Sequence, residues 1–168
     1  MERPKRHKDM NANEIHDKIK SQFPDAVVEF KPDAVTEPYI VVRPELIREI
    51  SQFISADPDL KFDYLMSLSG VDFNDGNLGV VYHIYSMEKR HRIVIKVKVP
   101  KEKPEIPSVE SIWKTANWHE REVFDLFGIV FRDHPDMRRI LLPDDWEGYP
   151  LRKDYKVQEY YRGFKVPY

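Results

Sequence analysis

The residues best equipped for chemistry are concentrated between Trp118 and Tyr155. His119, Glu120, Glu122 and Asp125 crowd one short helical stretch, and His134 follows between Asp133 and Asp136. His119-Glu120 matches the start of a zinc-protease helix, but that chemistry needs a second His at position 123, where Val123 stands. Glu122 and Asp125 lie three residues apart and are neighbours on a helix, which admits a paired-carboxylate acid–base or metal site. With His119 they compose the residues of a stand-alone hydrolase. The plainer reading makes them surface acids favoured by the helix dipole. Arg121 then pairs with Asp125, and the other acids meet arginines on this chain or a neighbour. Asp133, His134 and Asp136 read as a ligand cluster or, with Pro135, as a capped turn; the local spacing suits the turn. Arg138 and Arg139 flank the apolar run Ile140-Leu141-Leu142, expected as a strand. Guanidinium forks match carboxylates in two-point geometry, so an interface ion pair is expected there. Phosphate binding is the weaker alternative, because no Gly-rich cradle accompanies them.

The elements that must position these groups are legible in outline. Ile15, Ile19 and Phe23 recur at helical spacing after Asn13, with the helix over by Pro24. Short β-rich runs follow at Ala26–Phe30 and Tyr39–Val42. Pro44 opens a second helix, and Leu46, Ile47, Ile50, Phe53 and Ile54 form its apolar stripe up to Asp57-Pro58. Phe62–Val71 is an apolar segment, and Asp72–Gly79 a polar loop. Leu78–Met87 and His91–Val99, joined around Glu88–Arg90, predict an antiparallel hairpin. Ile93, Ile95, Val97 and Val99 should face the core. Pro100–Pro107 reads as a link and Val109–Lys114 as a short element. The key helix is expected over 118–127, with Asn117 and Glu120 as a capping box and Gly128 as its left-handed stop. Trp118, Val123, Phe124 and Phe127 should pack it on the sheet. The fold class that fits is α+β: a single domain with a mixed or antiparallel sheet, helices packed on it and an extended C-terminal arm.

Bulk composition narrows the function. The 168 residues carry a net charge of −2, which supplies no positive field for nucleic acid. Cysteine is absent, which excludes thiolate nucleophiles, thiolate zinc sites and cysteine-held iron–sulfur clusters. Arg92–Val99 is too short and too rich in lysine to span a bilayer. The basic start, Arg3 to Lys8, has no apolar core after it, so a cytoplasmic chain without a secretory signal is expected.

Three regions follow: a flexible basic arm over 1–12, a globular domain over 13–142, and an aromatic-rich arm over 143–168. In the last, Trp146, Tyr149, Tyr155, Tyr160, Tyr161, Phe164 and Tyr168 persist although no apolar period survives. Aromatic and Arg residues are favoured as interface anchors, so the arm is expected to lie over a partner. The alternative is a tail folded back on its own sheet. No complete active site is expected on this chain.

Four runs carry a family resemblance. They are Trp113-Lys-Thr-Ala-Asn-Trp118, Glu120-Arg-Glu-Val-Phe-Asp-Leu-Phe-Gly128, Asp133-His-Pro-Asp-Met-Arg-Arg-Ile-Leu141 and Leu142-Pro-Asp-Asp-Trp-Glu-Gly-Tyr-Pro-Leu-Arg-Lys-Asp-Tyr155. Phe62-Asp-Tyr-Leu65 and Gly70-Val-Asp72 add an upstream block. Together they resemble the C subunit of respiratory complex I, the proton-translocating NADH:quinone oxidoreductase. Tyr149 departs from the His more common in that family. The resemblance implies a peripheral-arm subunit at the cytoplasmic side of the cell inner membrane, touching the membrane only through partners. It implies no cofactor on this chain, with FMN and Fe–S clusters on partner subunits, and close contact with the quinone-pocket subunit. The residues implied to carry interface or motif roles are Glu120, Arg121, Glu122, Asp125, His134, Arg138, Arg139, Trp146, Arg152 and Tyr155. A complex I-related membrane-bound hydrogenase, and a free-standing protein-binding module, are the alternatives.

Overall fold

The computed structural model describes residues 9–166. The chain runs α1 (Ala12–Gln22), β1 (Val27–Lys31), β2 (Tyr39–Val42), α2 (Ile47–Ala56), β3 (Tyr64–Asp72), β4 (Asn77–Tyr85) and β5 (Arg92–Pro100). It continues with β6 (Glu105–Pro107), α3 (Ala116–Phe127), β7 (Val130–Arg132), β8 (Tyr160–Tyr161) and β9 (Phe164–Lys165). Strands β1 to β5 form one sheet in the order β1-β2-β5-β4-β3. The β2–β5 pair is parallel and the rest antiparallel, which makes the α+β sheet mixed.

Local chemistry sets each boundary. The first helix starts earlier than Asn13: Asn11 is the N-cap, its Oδ1 accepting Glu14 N–H at 3.0 Å while its own backbone N–H donates to the Glu14 carboxylate at 2.8 Å. Ile15 and Ile19 are fully buried below it. A 3₁₀ turn at Pro44–Leu46 leads into α2, which buries Ile47, Ile50 and Ile54. Each such isoleucine contributes about 2 kcal/mol of burial. Asp57 ends α2, accepts from the backbone of Asp59 and Leu60, and pairs with Lys18 of α1 at 3.0 Å.

The hairpin forms as its alternation requires, with Ile84 opposite Ile93 and Val80 opposite Val97 on the core side. Strand β3 must approach α3 closely, because a Cβ on Gly70 would lie 2.5 Å from the Phe127 ring. The expected proline-rich link contains β6, which pairs in parallel with β7. Residues 1–8 of the expected basic arm lie outside the described residues.

Candidate functional site

Helix α3 begins one turn before its acids and carries them into the core. Its N-cap is Thr115, without a side-chain bond, so Asn117 is helical and forms no capping box. Glu120 and Asp125 are both fully buried, contrary to the surface reading of these acids. Trp118, expected on the sheet, is 66% exposed, with the Arg121 guanidinium 5.2 Å from its ring. Gly128 stops the helix in the left-handed region at φ 71.

Asp125 organises the segment that follows. One carboxylate oxygen accepts the backbone N–H groups of Ile140, Leu141 and Leu142 at 3.0, 2.7 and 2.9 Å. The other accepts Nη1 of Arg139 at 2.8 Å. Arg139 also donates to the Asp125, Trp146 and Gly148 carbonyls, at 3.0, 3.2 and 3.2 Å. Burial pushes the Asp125 carboxyl upward, but the three amides and the guanidinium outweigh it and hold its pKa below the ordinary value. The expected strand at 140–142 is therefore a bend wrapped on a carboxylate. The expected Arg121–Asp125 pair does not form.

A second fastening lies farther along. Arg152 Nε donates to the Phe127 carbonyl at 2.6 Å, and Leu151 N–H to the Leu126 carbonyl at 3.1 Å. The Tyr149 ring lies over Gly128, between the guanidinium groups of Arg139 and Arg152 at 5.4 and 4.7 Å. Asp72, at the end of β3, accepts Lys153 N–H at 2.8 Å and meets Lys101 Nζ at 2.9 Å. Its burial is outweighed by those bonds, which hold its pKa at about 2. Residues 143–155 are thus bonded back onto the domain, and the extended arm does not start at Pro143. Beyond them Trp146 packs on Tyr161 at 5.2 Å, and Asp145 holds Tyr161 and Arg162, so the β8–β9 hairpin also folds against the chain. Tyr155 packs under Gly148, with its hydroxyl enclosed.

The other expected site residues divide. His134 is a turn residue, as its spacing suited: Nδ1 accepts Asp136 N–H at 3.0 Å and Nε2 faces the Asn117 carbonyl at 3.2 Å. Arg121 is buried and donates to the Arg138 carbonyl at 3.3 Å, with Asp136 at 3.6 Å. Arg138 is exposed and pairs with Asp136 at 3.0 Å. Glu122 and His119 border an open groove with Ser67, Leu126 and Leu151, whereas Asp125 is turned inward. The hydrolase constellation is not assembled. Among the described residues no group of three His, Asp or Glu is arranged to hold a metal. The pairing of Asp72 with Lys101 and with Lys153 N–H carries no signal of its own in the sequence, although Asp72 lies in the upstream block of the family resemblance. Asp72 stands beside an Asn/Asp/Gly-rich loop and resembles an ordinary turn former.

These features define a two-layer α+β domain whose α3 and β3 acids clasp its own C-terminal segment. The matching family is the 30 kDa subunit of respiratory-chain NADH dehydrogenase, over residues 40–161, and the chain belongs to it. The C subunit of NADH-quinone oxidoreductase from Chloroherpeton thalassium is 53% identical across 89% of this chain, which spans 63% of that relative. The one from Chlorobium phaeobacteroides is 46% identical across 91% of this chain and 93% of its own. A trypsin-resistant fragment of Nqo5 superposes with TM-score 0.64 and 28% identity, over 76% of this chain and 99% of the fragment. A chain of the membrane-bound sulfane sulfur reductase, an archaeal respiratory membrane complex, reaches TM-score 0.71 with 27% identity over 86% of this chain and 85% of its own.

Proposed function

We propose that this chain is the peripheral-arm C subunit of a proton-translocating NADH:quinone oxidoreductase, and that it positions partners without itself transferring electrons. One observation carries the reading. The residues that mark the family, from Glu120 to Tyr155, hold the C-terminal segment on the domain in a fixed shape. FMN and Fe–S clusters then belong to partner subunits, and this chain holds the quinone-pocket subunit at transfer distance. The surface offered to partners carries anchor residues: Trp118, Arg138 and Phe164 are all exposed. Among the described residues no helix is long and apolar enough to cross a membrane. We take attachment to the cytoplasmic face of the inner membrane to run through partners, as the family resemblance implies.

The likeness to the sulfane sulfur reductase chain favours a second reading, the equivalent subunit of a complex I-related membrane oxidoreductase with another donor. Tagging the chain in its native cell and purifying from gently solubilised membranes separates the two. Co-purification of flavin- and cluster-bearing partners with NADH:quinone activity is the expected result. A nickel-bearing partner moves the assignment to the hydrogenase branch, and a solitary soluble chain overturns both readings. Deleting residues 156–168 should reduce assembly while leaving the clasped domain folded.

A further inference from the structure

The clasp leaves one buried titratable cluster without a role. Glu120 of α3 is fully buried, with Oε2 2.6 Å from Ser108 Oγ and Oε1 accepting Val109 N–H at 2.8 Å. The His134 ring stands 4.0 Å from the same carboxyl, and neither side chain is exposed. Because His134 Nδ1 accepts Asp136 N–H, its proton sits on Nε2 and points to the Asn117 carbonyl. The imidazole is neutral and presents no cation to Glu120.

The remaining groups around the carboxyl compensate its charge only in part, with Arg48 favouring it through its charge alone. From α2, Arg48 is engaged by the Ser108 and Arg132 carbonyls at 2.9 Å each and by Asp133 at 2.8 Å. From β4, the fully buried Tyr82 hydroxyl has no hydrogen-bond partner among the described residues, and a charge on Glu120 opposes its ionisation. Glu110, in the turn after β6, adds like charge, and Arg121 on α3 is taken by Asp136 and the Arg138 carbonyl. Ser108 Oγ also accepts Glu110 N–H at 3.1 Å. A hydroxyl has one donor and two acceptor sites, so Ser108 can donate to a carboxylate or accept from a carboxylic acid without moving.

We propose that Glu120 is a proton-operated fastener: as a carboxylic acid it holds α3 to the turn at 108–113, and as a buried carboxylate with no cation bonded to it, it loosens that turn. The step is simple: the Oε2–H bond breaks, the proton passes to water, and the negative charge stays on the carboxyl. Burial raises the group to about 7 against the Ser108 and Val109 bonds, which places the change near neutral pH. The raised value gives stabilisation that is complete below the ordinary 4.5 and lost as pH rises through about 7. His134 has the opposite sign, since burial lowers it from 6.5 and its protonation weakens the fold as pH falls.

The test compares unfolding of the full chain with that of Glu120→Gln. Between 4.5 and about 7, wild type should lose stability relative to the variant by about tenfold in the unfolding constant per pH unit. A ratio independent of pH overturns the proposal. Should Glu120→Gln fail to fold, carbon-13 NMR of the glutamate carboxyls in the wild-type chain decides. One carboxyl titrating near 7, and higher still in Ser108→Ala, supports it, and all glutamates ionised by pH 6 refutes it.

Discussion

Asp125 and Glu120 occupy the same helix, both without solvent exposure, and they behave oppositely. Asp125 has three backbone amides and one guanidinium on its two oxygens, and its pKa is lowered. Glu120 has one hydroxyl and one amide, with a neutral imidazole beyond, and its pKa is raised. Solvent is excluded from both, so the number and charge of the donors decide ionisation. The outcome divides α3 into an end whose donors favour charge and that clasps the C-terminal segment, and a titrating end that grips the turn after β6.

The largest effect should come from Asp125→Ala, which strands a buried guanidinium and three amides. A loss of about 3–5 kcal/mol is expected in denaturant unfolding. Asp72→Asn should cost less, about 1–3 kcal/mol, because Lys153 N–H and Lys101 lose a charged acceptor. Acid titration sharpens the same point. The stabilisation from Asp72 is present above 3.8 and disappears as pH falls towards about 2, so the variant should lack that part of the acid transition. Gly128→Ala forces a side chain into the left-handed region and against the Tyr149 ring, and should cost at least about 1–2 kcal/mol in thermal unfolding. Smallest in stability is Arg138→Ala, within about 1 kcal/mol, since its pair with Asp136 is exposed. That variant should nonetheless lower the yield of assembled complex on native gels. Full yield with altered turnover per complex would assign Arg138 a role other than docking.

Much of the scaffold was legible because periodicity reports which face of an element is buried. The alternation in β5 and the stripe of α2 gave both elements their buried sides. Gly128 identified the end of α3 through its φ requirement. Periodicity does not name partners. Asp72 and Lys153 are 81 residues apart, and the parallel β2–β5 and β6–β7 pairs join elements with no turn signal between them. The acids of α3 were misplaced for a related reason. Charge suggests exposure, and only the three-dimensional arrangement supplies amides in a row for Asp125 or a serine for Glu120. The aromatic tail reads by composition as an arm, whereas its backbone is held by Asp125, Asp72 and the α3 carbonyls.

Hydrogen exchange at the backbone amides of Ile140, Leu141 and Leu142 tests the clasp most directly. In the folded wild-type chain the account predicts strong protection at all three, lost in Asp125→Ala while the β4 and β5 amides keep theirs. Rapid exchange of these three amides in the folded wild-type chain would contradict it.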